Sequence, residues 1–258
     1  MQKLKLVIML AKNELRGRYR GTLIGKLWLF VTPLVTLVLY SLVFSNIFKA
    51  RWEFLGANVY TNYAIVLFPG LMMYQLMMDV LGKGGGAYDA YAPLTTKLNI
   101  STRDLILGGV LASLIPFWAA IAIWYLGVSV LFGLTPRGGT LVLLIAFVFS
   151  IFCVGLAFLS TVIGALLKDW LQFLGIISMG LLFISPILYP TEHLPAALQN
   201  FVYLNPLSHF IDIIRHGAFQ PDIPFSLLTS LLPVLGATIA VLVVGIWLEH
   251  VLGRFTHE

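Results

Sequence analysis

From Leu27 to Phe48 the chain runs for 22 residues without a charged side chain, and the stretch just before it holds Arg16, Arg18, Arg20 and Lys26. The full join, Arg16 to Pro33, reads RGRYRGTLIGKLWLFVTP. Cationic groups enter hydrocarbon only at high free-energy cost, whereas an apolar run of this length crosses it readily. The join therefore marks one surface of a membrane.

Five more apolar runs follow, near Asn62–Met78, Leu105–Phe132, Leu141–Ile163, Trp170–Leu188 and Ser226–Leu248. Hydrophobic residues make up 59% of the chain and charged ones 10%, against about 25% charged in soluble domains. The expected fold is an all-α polytopic membrane protein with six transmembrane helices. Pro116 inside the third run predicts a kink or a break into two pieces. The net charge of +5 sits beside apolar spans rather than on a soluble basic face, so nucleic acid is not an expected partner. Cys153, the single cysteine, has no intrachain disulfide partner. Leu6–Ala11, closed off by Lys12, is too short for a cleavable signal.

With the amino terminus inside, 12 of the 16 Lys and Arg fall on the inner side, leaving Lys49, Arg51, Arg137 and Arg215 outside. The positive-inside rule then places both termini in the cytoplasm. Residues 1–26 precede the membrane domain of residues 27–258. Within them Leu4, Ile8, Ala11 and Leu15 recur at helical spacing, opposite Lys5, Lys12, Arg16 and Arg20. This predicts an amphipathic helix on the inner leaflet; a charge tag that only sets orientation is the plainer alternative. No repeat of 20 to 50 residues is visible.

Two segments break the pattern. Residues 82–104, GKGGGAYDAYAPLTTKLNISTRD, form the longest inner loop, read as a flexible glycine lead with Pro93 at the end or start of a short helix. It is either a docking site for a soluble partner or a solvated connector. The Asn99-Ile100-Ser101 glycosylation pattern is discounted on an inner loop. Residues 189–225, on the outer side, are rich in proline and predict two short helices, Pro195–Leu204 and Pro206–Phe219, with Asn205 as a cap. They are too apolar to be solvated and too short to cross, which favours an extracellular re-entrant or interfacial hairpin between spans five and six. His209, Asp212 and His216 share one face there. A polar face lining a path or meeting headgroups explains them better than a metal site lacking a fourth ligand.

Lys168-Asp169, between spans four and five, fits a local ion pair in a tight turn, or a partner contact. Tyr40 and Tyr63 lie deep in their spans, where an aromatic ring can stack on a sugar face. Gly21–Leu27 imitates a phosphate loop, but three residues rather than four separate the glycines and Leu27 follows Lys26 where a magnesium-binding hydroxyl is needed. This chain is thus expected to bind no cofactor and to do no ATP chemistry. Its spans show no grouped acids and bases and no metal pattern, so it is not expected to be an enzyme.

The order Arg18-Tyr19-Arg20-Gly21-Thr22-x-x-Gly25-x-x-Trp28-x-x-x-x-Pro33 resembles the first-span signature of ABC-2-type polysaccharide exporter permeases, which serve O-antigen, capsular polysaccharide and teichoic acid export. Leu167-Lys168-Asp169 with Phe173, Ser185-Pro186-Ile187-Leu188-Tyr189, and Leu204-Asn205-Pro206-Leu207 through Arg215 agree with that family in order and spacing. The resemblance implies a homodimer in the bacterial cytoplasmic membrane with two ATPase chains, ATP and magnesium residing on the latter, and a lipid-linked polysaccharide as cargo.

It also implies a coupling helix within Ala87–Asp104, with Tyr88, Tyr91, Pro93, Lys97, Arg103, Asp104 and the Lys168-Asp169 turn as docking candidates. Arg16, Arg18 and Arg20 become candidates for phosphate capture at the entrance, although orientation anchoring explains them equally well. Tyr40, Tyr63, Asn205, Pro206, His209, Asp212 and Arg215 become channel or gate candidates. Ser101-Thr102-Arg103 departs from the family's frequent Phe-Pro-Arg, which bears on the shape of the docking segment. A permease for a drug or lipo-oligosaccharide shares the later motifs and is the nearest alternative; a membrane-embedded transferase is a distant one.

Overall fold

In hydrocarbon every backbone N–H and C=O must be satisfied within the protein, and a helix does this locally. A computed structural model describes residues 2–43, 63–98, 100–132, 136–189, 194–219 and 225–255. These residues form α1 (Gln2–Tyr19), a 3-10 turn (Gly25–Leu27), α2 (Trp28–Leu42), α3 (Tyr63–Gly85), α4 (Ala87–Leu98), α5 (Thr102–Phe132), α6 (Pro136–Leu166), α7 (Trp170–Ile184), α8 (Ala196–Leu204), α9 (Pro206–Phe219) and α10 (Phe225–Phe255). Among the described residues there is no strand.

Five helices there are long and apolar enough to cross a membrane: Gly25–Leu42, Ile65–Gly85, Thr102–Val130, Gly138–Leu166 and Ser230–Leu252. At 15 residues, α7 is apolar but shorter. The expected end of the first span, Phe48, lies outside the described residues.

Helix α6 is central and packs against α3, α9 and α10; α5 packs against α1, α2 and α3. Association inside a membrane depends on close packing rather than on exclusion of water, so small residues sit where helices cross. A Cβ at Gly164 would lie 2.1 Å from the Gly85 carbonyl oxygen, and one at Gly84 would lie 2.3 Å from the Ala157 carbonyl oxygen. Gly155 and Gly245 serve the α6–α10 crossing in the same way. Large apolar side chains on the outer faces of α2, α7 and α10 remain exposed, among them Phe30, Leu39, Ile176, Met179, Ile239 and Trp247.

Three sequence expectations change. Gly84 and Gly85 are not a flexible lead: α3 runs through them to Gly85, because their missing side chains let α6 approach. Pro93 neither starts nor ends a helix but sits within α4. Of the kink or break expected at Pro116, the break is absent: α5 is one helix from Thr102 to Phe132.

The segment after α7 folds inward. Nearly all of α9 is buried, and it packs against α3, α6 and α10. The Phe210 ring centroid lies 4.9 Å from that of Phe149 and 5.4 Å from that of Phe152, both on α6. As expected, Asn205 caps α9: its Oδ1 accepts from the Leu207 N–H at 3.1 Å, while its Nδ2 donates to Ser185 Oγ at 2.8 Å.

Candidate functional site

The basic turn between α1 and α2 depends on two glycines in left-handed conformation, Gly21 at φ 80° and Gly25 at φ 55°. No neighbour crowds either α-carbon, so the backbone, not space, selects glycine. These are the glycines of the Arg20-Gly21…Gly25 order noted above. The turn brings α1 back over the first turns of α5, where Ala11 and Leu15 are buried beside Ala112, and the Leu10 Cβ covers Gly108. Leu4 and Ile8, on the same apolar face, stay exposed.

Charges then meet across α1 and α3. Arg18 Nη2 donates to Asp79 Oδ2 at 3.2 Å, and Lys83 Nζ contacts Glu14 Oε1 at 2.5 Å. Lys83 also lies 3.6 Å from Asp79 and donates to the Gly109 carbonyl at 3.0 Å and to Ser113 Oγ at 2.6 Å, both on α5. One ammonium thus ties three helices. The α4 residue Tyr91 joins this cluster, since its hydroxyl and Glu14 Oε2 both border Gly109. Burial, together with the nearby Glu14 charge, pushes the Tyr91 phenol up to about 12, so it stays a neutral donor at physiological pH.

Beside the ion pair opens a cavity of about 240 Å³ between α1, α2, α3 and α5. Arg18, Tyr19 and Asp79 lie at its α1 end; Trp28, Thr32 and Thr36 descend one face of α2, and Met72 and Gln75 line α3. Of the three arginines expected at an entrance, only Arg18 lines this cavity. Arg16 and Arg20 are exposed on the outside of α1 and its turn.

Helix α4 is rooted where α3, α6 and α7 meet. Ala87 is fully buried. Trp170 Nε1 donates to Ser160 Oγ at 2.7 Å, Ser160 Oγ donates to the Leu81 carbonyl at 2.6 Å, and the indole of Trp170 covers Gly85. Along α4, Tyr88 is half-buried and Pro93 exposed, while the side chain of Lys97 lies outside the described residues. Arg103 turns inward to pair with Glu249 of α10. Asp104 lies in the first turn of α5, where a carboxylate suits the helix dipole. Lys168 and Asp169 occupy the turn before α7, both exposed and without an ion pair to each other.

The gate candidates separate. Arg215 is 1% exposed, and its guanidinium donates to the carbonyls of Val66 (3.0 Å), Pro186 and Ile187 (2.7 Å). It clamps α9 to the start of α3 and to the turn after α7. His209 sits against Tyr203, its Nε2 2.8 Å from the Tyr203 carbonyl oxygen. Asp212 is half-buried on the same helix, and Pro206 opens α9. Among the described residues no group of three His, Cys, Asp or Glu is placed to hold a metal. Tyr40 rests partly buried against the core. Tyr63 begins α3, and its side chain lies outside the described residues.

Sequence reading missed Glu14, Lys83 and Glu249. A signal was present: Glu14 with Arg18, and Asp79 with Lys83, are opposite charges four residues apart.

A bundle of apolar helices, with a polar cluster where α1, α3 and α5 meet, defines a polytopic membrane protein. The chain belongs to the ABC-2 type transporter family, whose model matches residues 5–219. It is 22% identical over 221 residues to the O-antigen export system permease protein RfbA of Klebsiella pneumoniae, covering 83% of this chain and 82% of that one. The RfbA protein of Myxococcus xanthus is 23% identical, covering 78% and 75%. The capsule polysaccharide export inner-membrane protein BexB of Haemophilus influenzae is 26% identical over 220 residues, covering 83% and 79%.

Proposed function

We propose that this chain is the membrane subunit of an ATP-driven exporter that moves a lipid-linked polysaccharide across the bacterial cytoplasmic membrane. The observation that carries this reading is the family match over residues 5–219, joined to relatives named for O-antigen and capsule export. Two permeases pair with two separate ATPase chains, which hold ATP and magnesium. Helix α7 supplies the fifth of six spans, α8 and α9 form the re-entrant outer hairpin, and both termini face the cytoplasm. The excess of Lys and Arg on that side supports the orientation.

Helix α4 is the docking helix. Its buried root at Ala87, against the glycine crossing of α3 and α6, means that a push on α4 acts directly on the bundle. ATP-driven closure of the ATPases would move the two α4 helices and open a path between the permeases. The pyrophosphate of the carrier lipid meets the basic α1 surface, where guanidinium groups hold phosphate by charge-assisted hydrogen bonds. Arg16 and Arg20 are exposed for this, whereas Arg18 must loosen its contact with Asp79.

Deleting the chain tests the reading. Surface polysaccharide should disappear while its lipid-linked form accumulates inside, and a tagged chain should copurify with an ATPase. Normal surface polymer in the deletion strain would overturn it.

A further inference from the structure

The cavity between α1, α2, α3 and α5 contains more polar chemistry than a lipid-facing crevice needs. Gln75 lies in the middle of the Ile65–Gly85 span, yet it is exposed and its amide has no hydrogen-bond partner among the described residues. An amide at membrane depth faces protein, water or a ligand, and here it faces the cavity. The Thr32 hydroxyl and the Trp28 indole N–H on α2 are likewise without described partners. Trp28, Thr32 and Thr36 recur every four residues and so share one face of α2.

Opposite them, Gln75 and Asp79 share a face of α3. Asp79 holds Arg18 at 3.2 Å at the end from which α1 arrives. The site therefore offers, at its α1 end, one cation paired with the Asp79 carboxylate that lines the same cavity, then an indole, a hydroxyl and an amide further in. A phosphate must displace Asp79 from Arg18. Amide and hydroxyl groups beside an aromatic face suit a neutral, hydroxyl-rich ring, and the arginine suits an adjoining phosphate. At about 240 Å³ the cavity is smaller than the roughly 300–1,000 Å³ of sites that bury a drug-sized ligand, which leaves room for one ring.

We infer that this cavity is a loading site for a single phosphate-linked sugar, with Gln75, Thr32 and Trp28 reading the ring and Arg18 meeting the phosphate. The inference rests on the polysaccharide-export reading and specifies which part of the cargo the permease recognises first. Trp28, Thr32 and Gln75 are exposed and the Gln75 amide has no described hydrogen bond, so these groups are free to meet a ligand.

The test uses the purified permease–ATPase complex in nanodiscs and two probes: a polyprenyl pyrophosphate bearing one N-acetylhexosamine, and the same lipid without sugar. The wild type should bind the sugar-bearing probe at least tenfold more tightly. Thr32→Val and Gln75→Leu together should abolish that difference while leaving the affinity for the sugar-free probe unchanged. A diazirine on the sugar, used with the unaltered protein, should crosslink to peptides containing residues 28–36 or 72–79.

Equal binding of the two probes, a preference that survives both substitutions, or crosslinks confined to other helices would each overturn the inference. Full competition by phosphatidylglycerol would assign the cavity to a lipid headgroup and overturn it as well. None of these outcomes touches the export reading, which stands or falls on surface polymer in the deletion strain.

Discussion

Arg103 and Glu249, 146 residues apart, form an ion pair that joins the first turn of α5 to the last turns of α10. The Glu249 side chain is 5% exposed and that of Arg103 38%. The pair is therefore asymmetric: losing the arginine strands a buried carboxylate, whereas losing the carboxylate leaves a cation within reach of water.

Arg103→Leu is expected to destabilise the chain by about 1–3 kcal/mol, the cost of an unsatisfied buried polar group, and Glu249→Gln by clearly less. Thermal unfolding of the purified protein in detergent measures both. A loss of ATPase copurification in Arg103→Leu at unchanged thermal stability would instead favour direct docking by this residue.

Gly164 and Gly127 form a matched test of the helix crossings. A methyl group at Gly164 meets the Gly85 backbone at 2.1 Å, while at Gly127 it meets nothing within 4 Å. Gly164→Ala should force α3 and α6 apart and cost several kcal/mol, beyond the usual 1–3 kcal/mol of overpacking, since backbone cannot rotate away. Gly127→Ala should be neutral or slightly stabilising through helix propensity. Monodispersity on size exclusion after mild heating separates the two.

Arg215→Lys keeps the charge but loses the fork that reaches three carbonyls. A single ammonium cannot match a guanidinium's planar donors, so at least one buried carbonyl loses its partner, at about 1–3 kcal/mol. The variant should unfold at lower temperature and expose the turn after α7 to proteolysis. Unchanged melting would show that α9 is held by its apolar contacts alone.

Gly21→Ala and Gly25→Ala place a side chain in left-handed backbone, costing roughly 1–2 kcal/mol each. The expected effect is local: α1 should detach from α5 more often while the bundle stays folded. Limited trypsin cleavage at Arg16, Arg18, Arg20 and Lys26 should accelerate several-fold with little change in the global melting temperature.

The long apolar helices were legible because hydropathy is a property of single residues summed over a window. The spans expected at 105–132, 141–163 and 226–248 fall inside helices of 31 residues each. Misreadings arose where one residue type has two uses. Gly84 and Gly85 look like a flexible lead, since glycine is flexible in isolation, but against Ala157 and Gly164 their missing side chains are what lets two helices meet. Asn205 was legible as a cap because capping is local. The buried place of Arg215 was not, since its three acceptors lie 28 to 149 residues away. The cavity escaped notice for the same reason: Thr32 and Gln75 are unremarkable alone and acquire meaning only when α2 lies beside α3.

The charges shared by α1 and α3 bear on how the protein is made. Glu14 and Arg18 are four apart on one helix, as are Asp79 and Lys83 on the other, so each helix carries no net charge from these residues before it docks. In the folded chain Glu14 gains Lys83 and Arg18 gains Asp79, while Asp79 and Lys83 stay 3.6 Å apart. During synthesis α1 can wait at the membrane with its own pair closed, and α3 can insert with its own pair closed. Docking then joins two neutral pairs into one four-charge cluster, which an amino-terminal truncation would leave half built.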